Sequence, residues 1–187
     1  MFDYAAKFSA GLTYAEFLSR HGTPDQQARW AAQHAQISLT AAQREVLAGF
    51  TRRLPVVCLA GAWCGDCVQQ CPIFDHFAAA TPRIELRFFD RDAHPDLAAH
   101  LRLCGGARVP TVVFLNEDLQ ELGRYGDRTL AKYRQLAAAQ LGPACPTGFV
   151  PPSAELQAAV LDEWLGQFER AHWMARLSPR LRERHGD

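Results

Sequence analysis

Apolar positions change their spacing several times along this chain of 187 residues. Between Thr13 and Arg53 they recur every three or four residues, the period of a helix with one buried face. Phe17, Leu18, Trp30, Ile37, Val46, Leu47 and Phe50 make up that face. Thr13-Tyr14-Ala15-Glu16, Thr23-Pro24-Asp25-Gln26 and Thr40-Ala41-Ala42-Gln43 each set a threonine three residues before Glu or Gln, the signature of a capping box. Pro24 suits a first helical position, where no amide donor is needed, and Gly22 closes the first helix. The pattern predicts three short helices over 13–53.

Pro55-Val56-Val57-Cys58-Leu59-Ala60 is then almost wholly apolar, as expected of a strand covered on both faces. A helix is predicted over 65–80, a strand over 84–89, a helix over 92–103 stopped by Gly105-Gly106, and a strand over 111–115. Asn116-Glu117-Asp118 reads as a turn into a fourth strand over 119–124, completing a hairpin. Asp127 is the predicted cap of a helix over 128–140. The first two strand-to-strand connections each contain a helix, which lets the first three strands lie parallel. The predicted fold class is α/β: a four-stranded mixed sheet flanked by helices, with helical N-terminal and C-terminal extensions. The segment 142–152 holds four prolines and two glycines and reads as a linker. Ser153 is the predicted cap of a last helix running to about Leu177, with Leu156, Val160, Trp164, Phe168 and Ala171 as its apolar stripe. That stripe either packs back on the domain or forms a homodimer face through the C-terminal helix. The predicted division is therefore 1–53 as a helical extension, 54–141 as the central domain, 142–152 as linker and 153–187 as helix and tail.

Composition narrows the function classes. Apolar residues make up 48% of the chain and charged residues 21%, with 20 basic residues balancing 20 acidic ones. A neutral chain lacks the basic footprint of a nucleic-acid binder, and the arginines between Arg176 and Arg184 read as solvated surface. No apolar run approaches the roughly 18 residues of a membrane span. Met1-Phe2-Asp3-Tyr4 lacks the basic and apolar regions of a secretory signal, so a cytoplasmic location is expected. There are six cysteines, at 58, 64, 67, 71, 104 and 145. A chain with this much core does not need a disulfide framework, and a close cysteine pair points to redox chemistry or metal instead.

That pair lies in Ala62-Trp63-Cys64-Gly65-Asp66-Cys67. At a strand-to-helix junction, Cys64 meets the unpaired amides and positive dipole end of the helix, which favour its thiolate. Cys67 lies one turn further on, placed to attack a disulfide formed on Cys64. Metal binding is the rival reading. Cys64, Cys67 and Cys71, followed by Pro72, match the tail of a ferredoxin-type cluster motif; zinc is the other candidate. The preceding cysteine of the cluster motif would fall at Gly61.

Trp63-Cys64-Gly65-Asp66-Cys67, Pro72 five residues after the second cysteine, and Arg108-Val109-Pro110-Thr111-Val112-Val113-Phe114 resemble the thioredoxin superfamily in order and spacing. Gly123-Arg124-Tyr125-Gly126 is similar to its final strand and glycine. The resemblance covers about residues 54 to 141. The helices before it and Asp66 are similar to a bacterial subgroup in which helices replace the usual first strand. The resemblance implies a thioredoxin-like fold and a thiol–disulfide oxidoreductase. It implies Cys64 as nucleophile, Cys67 as resolving thiol and a cis Pro110, with Trp63, Val109 and Pro110 at the substrate. It implies no cofactor and no metal. The expected partners are a protein or small-molecule disulfide and a reductant, with neither nucleic acid nor membrane. A non-catalytic binding module on the same fold is the further alternative.

Two residues depart from the family pattern and are expected to tune the site. Asp66 stands where a proline is usual, and its charge is expected to oppose the Cys64 thiolate. Cys58 stands where a buried aspartate usually helps the resolving thiol; it reads as a small core residue rather than a third redox thiol, and either resolution is slower or another acid, such as Asp90 or Asp92, helps. Cys71 is expected to be packing, since helix neighbours four apart hold their Cβ atoms about 5–6 Å apart, beyond the roughly 3.5–4.5 Å of a relaxed disulfide. Cys104 is an expected neighbour of the Pro110 loop and Cys145 an exposed thiol of the linker.

Overall fold

The capping boxes form as their spacing requires. The Glu16 amide donates to Thr13 Oγ1 at 3.3 Å, and the Thr13 amide donates back to Glu16 Oε2 at 2.8 Å. Thr23 with Gln26, and Thr40 with Gln43, repeat the arrangement. The computed structural model, which describes residues 2–142 and 155–186, accordingly opens with α2 (Tyr14–His21), α3 (Pro24–Ala35) and α4 (Ala41–Ala48). A short helix, α1 (Tyr4–Phe8), precedes them and was not anticipated. At five residues it is too short to show a period; Asp3 caps it by accepting from the Ala6 amide. Phe17, Trp30, Ile37, Leu47 and Phe50 are buried, and Leu18 and Val46 are half-buried against the same core.

The sheet is ordered β2-β1-β3-β4. Its central strand β1 (Leu54–Ala60) is buried at every position, which explains the unbroken apolar run. The helix α5 (Gly65–Ala80) returns the chain to β2 (Ile84–Asp90), which lies parallel to β1 with Ala60 opposite Asp90. The third strand corrects the expectation of a parallel partner. β3 (Thr111–Leu115) runs antiparallel to β1, with Leu59 opposite Thr111 and Val56 opposite Phe114. The reason is the shortness of α6 (Pro95–His100), which never carries the chain back along the sheet. Asp90 Oδ1 accepts from the amides of Asp92 and Ala93 and holds that stretch as a turn, so α6 begins later than predicted. Residues 101–110 then remain at the end of the sheet where β2 left it. Val109-Pro110 is thereby delivered beside the end of β1.

The hairpin turn is longer than predicted. Asn116 Oδ1 accepts from the amides of Asp118 and Gln120, so β4 spans Glu121–Gly126 and not 119–124. The cap of α7 (Leu130–Leu141) also needs correcting. Thr129 accepts from the Lys132 amide, while the Asp127 carboxylate turns instead to Arg108 and Tyr133.

After Glu155 the chain forms α8 (Leu156–Arg176) and a second unanticipated helix, α9 (Pro179–His185), capped by Ser178. The predicted cap Ser153, Cys145 and the linker beyond Gly142 lie outside the described residues. α8 packs against α4, α5, α7, β3 and β4. Val160, Trp164, Phe168 and Ala171 are buried inside the chain itself, with Leu156 half-buried, so this stripe is not free to face a second copy. Phe168 sits among the rings of Phe74, Phe77 and Phe114, with centroids 5.8, 5.2 and 5.0 Å away. Among the described residues no helix is long and apolar enough to cross a membrane.

The outer edge of β2 has one further partner. The Leu12 amide donates to the Phe88 carbonyl at 2.9 Å and the Leu12 carbonyl accepts from the Phe88 amide at 2.7 Å, a single antiparallel bridge where a whole strand would fit. Helix α2 covers this side, with Phe17 against Phe88 at 5.4 Å.

Candidate active site

The site is built where β1 ends and α5 begins. Gly61 and Ala62 continue β1 outwards, and the Cys64 amide donates to the Gly61 carbonyl at 3.0 Å, closing a tight turn. A Cβ on Gly61 would come within 2.7 Å of the Trp63 ring, so a larger residue there would displace that ring. The position that a ferredoxin-type motif would give to cysteine therefore has a structural task. Cys64 is the N-cap residue of α5, with extended backbone and no side-chain cap bond of its own. Its sulfur faces the unpaired amides of the first turn, those of Asp66 and Cys67. The Val109 carbonyl lies 3.5 Å away and accepts from the Cys64 thiol. The Val109–Pro110 peptide is cis.

Cys64 is 9% exposed and Cys67 fully buried behind it. The two thiols influence each other strongly and therefore titrate as a pair. Burial opposes a charge on Cys67, but hydrogen bonds from Cys64, Cys71 and the Gly61 backbone outweigh it and bring Cys67 down to about 5. The hydrogen bond to that charged partner, with desolvation added, then holds the second proton, on Cys64, well above the ordinary thiol range. One negative charge is thus cheap for the pair and two are not. A charge moved onto Cys64 meets the helix amides.

The surroundings are polar and braced from both extensions. Trp63 is 44% exposed, and the Arg91 guanidinium lies 4.3 Å from the centroid of its ring. From the N-terminal side, the Trp30 indole donates to the Ala62 carbonyl at 2.9 Å. From the C-terminal side, the Trp164 indole donates to Gln70 Oε1 at 2.7 Å, and Gln70 in turn donates to the Asp127 carbonyl at 3.0 Å. Gly126, beside it, has φ +149°, and a Cβ there would lie 2.5 Å from the Pro110 carbonyl oxygen. Only glycine lets β4 pass this close to the Pro110 loop.

Asp66 is not the bare charge that its place between the cysteines suggests. Arg128 Nη2 lies 2.7 Å from Asp66 Oδ2, and the same guanidinium reaches Asp127 at 3.7 Å. Asp127 also accepts from Arg108 at 3.2 Å and from Tyr133. Nothing near Asp66 in the sequence identifies Arg128, 62 positions later, as its counter-ion; Trp30 and Gln70 were equally hidden, the first looking like core alone. The candidate helpers Asp90 and Asp92 are engaged elsewhere, Asp90 with the turn amides and Asp92 with Arg91 at 2.9 Å.

Cys58 lies on β1 directly behind the helix, and its sulfur is 3.9 Å from that of Cys71. Both are fully buried. Cys104 is exposed in the turn closed by Leu103 and Gly106, ahead of the Pro110 loop. Among the described residues no three His, Cys, Asp or Glu side chains converge so as to hold a metal ion. Cys64, Cys67 and Cys71 follow one another along the helix and do not surround a point.

Comparison with known proteins matches this geometry to a family. The sequence profile of the family described as thioredoxin matches residues 11–139. The chain belongs to the thioredoxin family. The match takes in α2, α3 and α4 as well as the sheet, so the helical extension is part of what this family member shares with its relatives. No curated protein sequence matches it. A crystal structure of a protein of unknown function from Pseudomonas aeruginosa is similar, with 28% identity, a TM-score of 0.69, and 91% of this chain and 99% of that one covered. An HIV epitope scaffold has the same fold, with 23% identity, a TM-score of 0.67, and 91% and 97% of the two chains covered. The thioredoxin-like α/β fold of this family member is thus shared along nearly the whole chain.

Proposed function

We propose that this thioredoxin-family protein is a thiol–disulfide oxidoreductase that reduces disulfides, with Cys64 as nucleophile and Cys67 as resolving thiol. One observation carries the reading: the Cys64 sulfur heads α5 at the free amide end of the helix, with the Val109 carbonyl 3.5 Å away and Cys67 buried one turn behind it. The Cys64 thiolate attacks one sulfur of a substrate disulfide, and the other substrate sulfur leaves as a thiolate. Cys67 then attacks the Cys64 sulfur of the mixed disulfide, releases the second substrate thiolate and leaves a Cys64–Cys67 disulfide. Trp63 offers an exposed apolar face to the substrate, and the backbone of Val109 and Pro110 offers groups for pairing with an extended peptide. The chemistry needs no cofactor. Its partners are a protein or small-molecule disulfide and a reductant that restores the two thiols. This direction of reaction suits a reducing compartment, and we place the protein in the cytoplasm.

Neither rival has a specific observation in its favour. A metal site lacks converging ligands among the described residues, and a docking module would not require a thiol pair at a helix N-terminus. The test is turnover of insulin disulfides with dithiothreitol as reductant. Cys64→Ser is expected to reduce the rate by more than about 100-fold, as loss of a nucleophile does. Equal rates for the two proteins would remove the oxidoreductase reading.

A further inference from the structure

Cys58 and Cys71 have no part in the exchange just described, and yet they touch. Their sulfurs are 3.9 Å apart and neither side chain is reachable by solvent. On α5, Cys71 lies one turn beyond Cys67, and Cys64 lies one turn before it at the head of the helix. Four sulfurs therefore run from the mouth of the site to the middle of β1, where Cys58 is opposite Phe88 on one side and Val112 on the other. A thiol is a weak donor and a weak acceptor. Alanine or valine would fill the same volume without the cost of burying two S–H groups. What adjacent sulfurs do that other small side chains do not is exchange disulfides.

We propose that Cys58 and Cys71 are a second, buried redox pair that takes over the disulfide from Cys64 and Cys67 by internal exchange through Cys67. The proposal rests on the oxidoreductase reading, because the first disulfide is made when Cys64 and Cys67 reduce a substrate. In the first internal step Cys71 attacks the Cys67 sulfur. The Cys64–Cys67 bond breaks, the Cys67–Cys71 bond forms, and Cys64 leaves and takes the proton that Cys71 gives up. In the second step Cys58 attacks the Cys71 sulfur. The Cys67–Cys71 bond breaks, the Cys58–Cys71 bond forms, and the Cys58 proton ends on Cys67. One disulfide and two thiols enter and one disulfide and two thiols leave, so no outside oxidant is consumed. Cys64 and Cys67 are then reduced again and ready for a second substrate, and each chain holds four electrons in place of two.

The movements required are small. The Cys58 and Cys71 sulfurs must close from 3.9 Å to about 2.05 Å. The bond between Cys67 and Cys71 must draw one turn of α5 together, so it is a transient link and not a resting state. Pro72 lies inside α5 and has no amide to donate to the Val68 carbonyl, so this turn is already one hydrogen bond short.

The test treats the reduced full-length protein with excess oxidised glutathione. It is then quenched in acid, the remaining thiols are alkylated under denaturing conditions, and disulfides are located by peptide mass spectrometry. The expected result is two linked pairs, Cys64–Cys67 and Cys58–Cys71. In Cys64→Ser, Cys58 and Cys71 are expected to stay as alkylatable thiols, since the route into the core starts at Cys64. A wild-type map with Cys64–Cys67 linked but Cys58 and Cys71 alkylated would overturn the inference and leave the oxidoreductase reading standing. Cys58–Cys71 linkage of equal extent in Cys64→Ser would overturn the relay. Failure of the wild type to form any disulfide at Cys64 would remove both.

Discussion

Asp66 shows how a side chain's chemistry depends on a partner that lies far along the chain. Read alone, a carboxylate between two reactive cysteines opposes a thiolate at either of them. In the structure Arg128 neutralises it at 2.7 Å, with both groups partly screened from solvent. The two substitutions should therefore shift the cysteine pair in opposite directions. Arg128→Gln leaves Asp66 uncompensated and raises the pH at which the pair first ionises, which should slow alkylation of Cys64 by iodoacetamide at pH 6 by roughly 3- to 10-fold. Asp66→Asn leaves the cation and speeds it. The double variant should return close to the wild-type rate, since the two opposite effects cancel. Single variants that both alkylate at the wild-type rate would mean that the ion pair has no influence on the thiols.

Helix α8 turns an extension into part of the core. Phe168, among three rings from α5 and β3, should cost about 3–5 kcal/mol of stability as Phe168→Ala, read from denaturant unfolding. His172 is buried on the same helix and accepts from the Thr51 amide at 3.1 Å just before β1. Burial first, and then Arg176, hold its pKa below the usual value, with Arg52 in the same sense and Glu169 and Glu117 opposing. The unfolded chain therefore binds a proton at His172 more readily than the folded one. The stability this site contributes is complete above about pH 6.5 and is lost as pH falls below it. Melting temperatures between pH 7.5 and 5 should fall more steeply for the wild type than for His172→Gln, although His94 and His100 are shifted in the same direction and keep some slope in the variant. The stripe of α8 was legible in its spacing, and so were the capping boxes and the buried run of β1, because each is a local pattern. The direction of β3 was not. It depends on α6 being six residues long, which follows from Asp90 holding the turn before it. Asp127 looked like a cap because of its place before a helical run, but Thr129 sits closer to the amide that needs an acceptor.

Across the molecule, both extensions converge on one turn. Trp30 from α3 holds the Ala62 carbonyl, and Trp164 from α8 reaches the Pro110 side of the site through Gln70 and Asp127. The family match beginning at residue 11, and the Pseudomonas aeruginosa structure covering 91% of this chain, agree that these helices belong to the fold and are not appendages. Loss of the Trp30 hydrogen bond should therefore be felt at Cys64. Trp30→Phe keeps most of the apolar bulk and is expected to lower the rate of insulin reduction by more than its effect on unfolding explains. A rate unchanged in a folded variant would separate the extension from the chemistry. The central claim is that Cys64 attacks and Cys67 resolves, and it is tested most directly by trapping the intermediate. Cys67→Ser, incubated with a peptide disulfide and examined by intact mass and peptide mapping, should carry one substrate half per chain, attached to Cys64. A protein that remains unmodified at Cys64 under these conditions would contradict the account.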